Sequence, residues 1–285
     1  MNKFPIGGVV FVRVLASYGQ MVMMLSDRQD AYGHLVLDYL KKGRGQEIVE
    51  REDGLLDPSR TLPGYYLTEF RSWAAHERKA MRFVKGRVLD IGCGAGRVAL
   101  YLQKKGFDVS GIDVSPLAVK VCELRGLKKV RVLSISDIGV KLGKFDTLLM
   151  FGNNFGLFGS FSRAKWLLRR LYEVTSDDAR IIAESTDPYK TRDPAHLAYQ
   201  KLNRSKGRMS GQIRIRVRYR TYMTPWFDYL LVSKREMRRI IVGTGWRIER
   251  FLDSAGSQYI AVIRKRSLKQ DSSETSSYRR VNTQH

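Results

Sequence analysis

The chain has 285 residues, 43% of them hydrophobic, enough for a sizeable core in one large α/β domain with appendages. Lys and Arg number 51 against 28 Asp and Glu, and the resulting charge of +23 attracts polyanions or acidic substrates without specifying a reaction. The two cysteines, Cys93 and Cys122, are too few for a disulfide framework and point to a reducing, cytoplasmic location, while four scattered histidines argue against a zinc site.

In chain order, residues 1–64 read as an N-terminal extension with a helical segment. Residues 1–25 are apolar but interrupted by Lys3 and Arg13. Their longest uncharged run, 14–26, contains Ser17, Tyr18, Gly19 and Gln20, so it makes a poor signal peptide and is too short and polar to span a bilayer. An upstream extension ahead of a start at Met24 is an equal reading. Residues 27–42 have helical spacing through Tyr32, Leu35, Val36, Tyr39 and Leu40, with Gly43 as the stop. Residues 47–63 are charged and turn-rich. Tyr65 and Tyr66 then precede a predicted helix over 68–84 with Phe70, Trp73 and Ala74 on one side; these aromatics suit the core face of an amphipathic helix.

Val88, Leu89 and Ile91 form a short apolar run that predicts a buried strand, followed by glycines at 92, 94 and 96 and a helical segment over 97–105. Strand, glycine turn and helix bring bare backbone close to a bound nucleotide. A dinucleotide fingerprint would place a third glycine where Arg97 stands, and a Walker loop would need a following Lys-Ser/Thr. What stands is Asp-x-Gly-x-Gly-x-Gly, from Asp90 to Gly96. At these residues the chain resembles the class I S-adenosylmethionine-dependent methyltransferases, whose first motif has that form. The resemblance implies that Asp90, Gly92, Gly94 and Gly96 hold the methionine arm of S-adenosyl-L-methionine. It also makes the segment holding Tyr65, Tyr66, Trp73, His76 and Glu77 a wall over cofactor and acceptor.

The next strand, 107–112, ends at Asp113 and Val114, ahead of a helix opened by Ser115 and Pro116. An acidic residue about 20 positions beyond the turn can accept both ribose hydroxyls; a helix-capping aspartate is the alternative. A third strand, 130–133, leads to Asp137 and Ile138, which resemble the family's adenine contact, although aspartate is common in turns. The fourth, 145–151, opens into Gly152-Asn153-Asn154-Phe155-Gly156. Ligands in open α/β sheets bind at such strand ends. The resemblance makes Asn153 and Asn154 substrate-orienting groups facing the reactive methyl, aided by Tyr65 or Tyr66; a loop satisfied by its own hydrogen bonds is the alternative. The family's Asp/Asn-Pro-Pro-Tyr/Phe motif for methylating nucleic-acid amino groups is absent here. No dedicated general base stands out, with His76, Asp187 and Tyr189 as candidates.

A helix over 163–175 and a fifth strand over 180–184 precede an insertion, 187–233. Within it, 211–221 alternates strictly, with Arg214, Arg216, Arg218 and Arg220 on one face, and 222–231 reads as the returning strand of a hairpin. Such a stripe suits nucleic acid or a carboxylated substrate, or protects an exposed strand from edge pairing. A helix over 233–242 and two strands, beginning at Trp246 and Gln258, complete residues 65–266 as the methyltransferase domain, and 267–285 reads as a disordered basic and polar tail. The expected fold is a seven-stranded, mostly parallel Rossmann-like sheet with helices on both faces, an antiparallel last strand and an inserted β-hairpin cap. The expected activity is methyl transfer from S-adenosyl-L-methionine to a small-molecule acceptor, without a metal. An RNA methyltransferase using the basic surface and a non-catalytic nucleotide- or RNA-binding module are the alternatives.

Overall fold

A computed structural model describes residues 24–58 and 63–266; the expectations for the first 23 residues and for the 267–285 tail lie outside the described residues. Helix α1 (Ala31–Lys42) starts later than its periodicity suggests, because Asp27–Gln29 closes a 3-10 turn and the Asp30 carboxylate caps the helix at Gly33 N (3.0 Å). Gly43, at φ 66°, ends it in a left-handed cap. Within the stretch read as charged and turn-rich lie two short strands, β1 (Ile48–Arg51) and β2 (Leu56–Pro58). The single helix expected over 68–84 is broken into 3-10 turns around a short α2 (Ala75–Ala80). Side chains take over backbone partners there: the Trp73 indole donates to Thr68 O (3.1 Å), and Glu77 Oε2 accepts from Ala74 N (3.0 Å).

The body then alternates strand and helix: β3 (Val88–Ile91), α3 (Arg97–Lys104), β4 (Val109–Asp113), α4 (Pro116–Leu124), β5 (Val130–Val132), β6 (Phe145–Met150), α5 (Phe161–Glu173) and β7 (Thr175–Thr186). Ser115 and Ser160 accept from Ala118 N and Arg163 N and so start α4 and α5. After β7 come α6 (Pro194–Ser205), β8 (Gln212–Tyr219), β9 (Tyr222–Met223), β10 (Phe227–Leu230), α7 (Lys234–Ile241), β11 (Trp246–Asp253) and β12 (Gln258–Lys265). Seven strands form the main sheet in the order β11-β12-β7-β6-β3-β4-β5, and β12 runs antiparallel to both its neighbours, as the sequence led us to expect. All four residues of β3 are buried, along with Leu148 and Leu149 on the adjacent β6 and Ile181 and Ile182 on β7. Each such aliphatic side chain contributes roughly 1.5–3 kcal/mol by leaving water. The core thus fixes the carboxyl ends of β3, β4, β6 and β7 along one edge.

The insertion does not form a free hairpin. Strand β8 pairs with β10 on one side and with β1, from the N-terminal segment, on the other, in a second sheet ordered β10-β8-β1-β2, with β9 also on β8. The arginine stripe therefore lies on an interior strand, and protection of an exposed edge is not its role. Glu50 on β1 stands opposite Arg216 and accepts from its Nε and Nη2, each at 2.8 Å, and it also accepts from Arg218 at 3.2 Å. Arg214 reaches Asp228 (3.4 Å), and Arg220, in the turn beyond β8, reaches Asp38 (2.9 Å). Carboxylates of this chain answer all four arginines.

Candidate functional site

The glycine turn follows β3. Gly92 and Gly94 have φ of 70° and 54°, a left-handed backbone that side chains resist. Space forbids a side chain as well: a β-carbon on Gly92 would lie 2.6 Å from Asn154 Nδ2, and one on Gly94 would strike the Tyr32 hydroxyl. Gly94 N donates to Asp113 Oδ2 (2.9 Å) and Ser115 N to Asp113 Oδ1 (3.0 Å), so the tip of β4 is tied to the turn. Burial lifts the Asp90 carboxyl to about 7, although Arg97 and a backbone donor pull it down. Burial also raises Asp113, against its own backbone hydrogen bonds. Asp137 is exposed in a 3-10 turn after β5. Val114 is half exposed, whereas the Ile138 side chain is buried in the core and its carbonyl accepts from Arg170 (3.0 Å).

The N-terminal segment roofs this edge. Asp30 caps α1 and at the same time accepts from Ser115 Oγ (2.6 Å) and Leu117 N (2.9 Å), latching α1 onto the start of α4. In the first turn of α1, Tyr32 lies over the glycine turn and meets Tyr66 edge-on, with ring centroids 5.1 Å apart. The sequence reading missed both residues. An aspartate directly before a periodic run was the available signal for the cap, but nothing local reveals the latch.

Tyr65 and Tyr66 lie in the 3-10 turn Pro63–Leu67. The Tyr65 hydroxyl donates to Glu77 (3.0 Å) and accepts from Arg97 (2.8 Å), whose guanidinium also pairs with Glu77 and lies 4.2 Å from the Tyr65 ring centroid and 4.6 Å from that of Trp73. Burial pushes Glu77 up, but the Arg97 hydrogen bond and charge more than offset it, and its carboxyl sits below the usual range. Tyr66 donates to Glu47 (2.8 Å). Burial raises both phenols, and both are protonated donors at neutral pH.

Beyond β6, Asn153 adopts φ 64°, a strained position for a residue with a β-carbon. It is held on every polar atom of its backbone and by its side-chain oxygen. Its amide donates to Glu184 Oε2 (3.2 Å), its carbonyl accepts from Tyr229 (2.7 Å), and its Oδ1 accepts from Thr186 (2.8 Å). Asn154 turns back, donating to the carbonyls of Ile91 (3.0 Å) and Gly92 (2.8 Å). It braces the glycine turn. Glu184, near the end of β7, is the organising group the sequence reading overlooked: Gly152 N donates to it (2.7 Å), and the Nε2 of His76, buried like Glu184 itself, lies 3.1 Å from its other oxygen. A carboxylate ending the apolar run Ile181-Ile182-Ala183 was the available signal. The other base candidates are engaged elsewhere: Asp187 caps Tyr189 N (3.0 Å), and the Tyr189 hydroxyl donates to Glu236 (2.8 Å). Among the described residues no group of three or more His, Cys, Asp or Glu is placed to hold a metal ion, and no helix is long and apolar enough to cross a membrane.

A family described as a methyltransferase domain matches residues 88–178, the stretch from β3 into β7. A Bacteroides fragilis S-adenosylmethionine-dependent methyltransferase, solved with S-adenosyl-L-homocysteine, superposes with a TM-score of 0.73 at 25% identity over 85% of this chain and 98% of its own. Residues 88–178 carry that methyltransferase domain, and the chain has the class I S-adenosylmethionine-dependent methyltransferase fold. Among curated members, the ubiquinone biosynthesis O-methyltransferase of Xanthomonas oryzae pv. oryzae is 38% identical over 68 residues, 22% of this chain and 28% of that one. The 2-heptyl-1-hydroxyquinolin-4(1H)-one methyltransferase of Mycobacteroides abscessus is 38% identical over 72 residues, 23% of this chain and 32% of that one. The chain spans less than half the length of the curated relatives it matches. The superfamily's cofactor fits these residues. The turn offers bare main chain where a β-carbon at Gly92 or Gly94 would collide, and the buried Asp90 carboxyl favours a cationic neighbour.

Proposed function

We propose that this chain is a methyltransferase that uses S-adenosyl-L-methionine to methylate a small molecule. When bound, that cofactor supplies a methyl group already activated on a sulfonium. Asp90 and the glycine turn hold the methionine arm, Asp113 and Val114 the ribose side, and Asp137 with the Ile138 main chain the adenine. Asp113 arrives preset for this work, because Gly94 N and Ser115 N fix both its oxygens and leave each a further lone pair. Tyr65, Tyr66, Asn153 and Asn154 wall the acceptor side. The last two act at one remove: Asn154 through the turn it braces, Asn153 through Glu184, Thr186 and Tyr229. Catalysis then rests on alignment and exclusion of water by these fixed groups and by the α1 roof.

The observation that carries the reading is continuity. Hydrogen bonds run from Asp113 to Gly94 and from Gly92 to Asn154, and Asn153 beside it is bonded to Glu184, so the tips of β4, β3, β6 and β7 form one connected edge. The O-methyltransferase relatives and the Bacteroides fragilis structure support the same reading. RNA as acceptor keeps only the net charge in its favour, since the arginine stripe is paired internally. Two buried free thiols suit the cytoplasm. The test is incubation with methyl-labelled cofactor and fractionated cell extract. Label should enter the small-molecule fraction; label in RNA or protein alone, or none, would overturn the proposal.

A further inference from the structure

With the β8 stripe answered by carboxylates, the excess positive charge lies elsewhere on the surface, and one part of it is ordered. Alternate residues of β3 pack on opposite faces of the main sheet: Val88 joins the core under α3, and Leu89 the core under α5 and α7. Those two helices touch, and each carries four basic residues and one acid. Arg163 turns inward to Leu157 O (2.6 Å), and Glu236 is engaged in capping α7, where Ser233 N donates to it (2.9 Å). Arg169, Arg235, Arg238 and Arg239 are exposed, with Glu173 the exposed acid of the pair.

Three apolar side chains rise from the same area: Val140 is 70% exposed, Val242 66% and Trp166 44%. Hydrogen bonds gather them into one patch. Arg170 donates to Ile138 O (3.0 Å), two residues before Val140, and its guanidinium lies 5.0 Å from the centre of the Trp166 ring. Arg169 donates to Gly243 O (3.3 Å), directly after Val242. Each tip stands next to a side chain anchored in the core: Val140 shares its 3-10 turn with Leu142, Trp166 precedes Leu167, and Val242 follows Ile241. Helix α5 carries the chain from the carboxyl end of β6 back to the amino end of the parallel β7, so Arg169 and the residues after it lie toward the opposite end of the sheet from Gly92.

Rigid aliphatic tips among arginines, with an indole between them, match the boundary of an anionic bilayer. The valines leave water for the acyl edge, the indole sits at headgroup level, and the guanidiniums meet phosphates. RNA would satisfy Trp166 and the arginines but leave both valines against sugar and phosphate. We infer that this face docks the protein peripherally on an anionic phospholipid surface, with Val140, Trp166 and Val242 entering the interface and Arg169, Arg170, Arg238 and Arg239 contacting the headgroups. The inference goes beyond the methyl-transfer reading and does not depend on it.

The test is cosedimentation of the full chain with vesicles of phosphatidylcholine alone, or with phosphatidylglycerol as a third of the lipid. Binding to the anionic vesicles should be at least tenfold tighter and should weaken steeply with salt. Bromine on the acyl chains should quench the tryptophan emission of the wild type, and Trp166→Phe should lose most of that quenching, because Trp73 and Trp246 are buried and Trp226 lies in the insertion. Val140→Ser with Val242→Ser keeps every charge, and should lower vesicle affinity at least fivefold while heparin affinity holds. Arg169→Ala with Arg239→Ala should lower it at least tenfold, against less than twofold for Lys104→Ala with Lys105→Ala, exposed at the end of α3 across the sheet. Equal binding to both vesicle types overturns the inference, as does unchanged affinity in the valine pair or an equal loss in the α3 pair, either of which would leave only diffuse charge. It is overturned too where the face variants weaken binding to poly(U) RNA and not to vesicles, or dissolve a dimer that ignores lipid.

Discussion

Asp90 offers the sharpest test, because its burial stores a measurable conflict. Its carboxyl titrates near 7 in the folded chain against an ordinary 3.8, chiefly because burial disfavours the charge. Between those two values the folded chain holds a proton that the unfolded chain has lost, so stability falls as pH rises through that window. The full shift corresponds to at most about 4 kcal/mol, reached above pH 7. Asp90→Asn removes the charge while keeping the size. Urea unfolding of the cofactor-free protein should find variant and wild type nearly equal only below about pH 3.5, and the variant ahead by about 1.5 kcal/mol at pH 5, where the unfolded wild-type carboxyl has already ionised. At pH 8 the variant should be the more stable by about 2–4 kcal/mol. Burial of Asp113 acts in the same direction and leaves a residual pH slope in the variant. S-adenosylmethionine should reverse the order, binding the wild type more tightly at pH 8 and losing that advantage toward pH 5. A stability difference that is the same at both pH values would refute the burial argument.

Other changes separate the roles at the site. Asp113→Ala should cost about 1.5–3 kcal/mol of cofactor binding by calorimetry, as expected for a charged acceptor; equal affinities would remove the ribose assignment. Asn154→Ala frees the carbonyls of Ile91 and Gly92, and so should lower melting temperature and cofactor affinity together. A loss of turnover with both unchanged would instead make Asn154 an acceptor contact. Glu184→Gln keeps the shape but weakens the bonds from Gly152 N and Asn153 N, and should cost about 1.5–3 kcal/mol in urea unfolding; an unchanged midpoint would show that the loop holds without it. Glu50→Gln releases Arg216 and Arg218, so heparin affinity at low salt should rise with a steeper salt dependence. No change would mean those arginines already face polyanions in the wild type.

The motif Asp90 to Gly96 was legible because its constraint is local: an apolar strand, a turn that only glycine tolerates, and a helix follow one another within a few residues. The succession of strands and the carboxylates at residues 90, 113 and 137 could be read for the same reason, each being set by the end of its own strand. Asn153 and Asn154 stood out in the sequence as acceptor-orienting groups, yet their partners Thr186, Glu184 and Gly92 are distant in sequence, and only the folded sheet brings them within hydrogen-bonding reach. Glu50 and Arg216 are likewise far apart along the chain, so periodicity showed a charged stripe and could not show its partner.

Sequence alone determined the class of fold and the glycine turn that ends β3, because strand ends and turns are governed by residues close along the chain. Tertiary structure decided the rest: that Asp30 latches α1 over the turn, and that β1 joins β8 and neutralises the arginines. Those outcomes depend on which distant surfaces meet, and apolar burial, which drives the meeting, carries no direction along the chain.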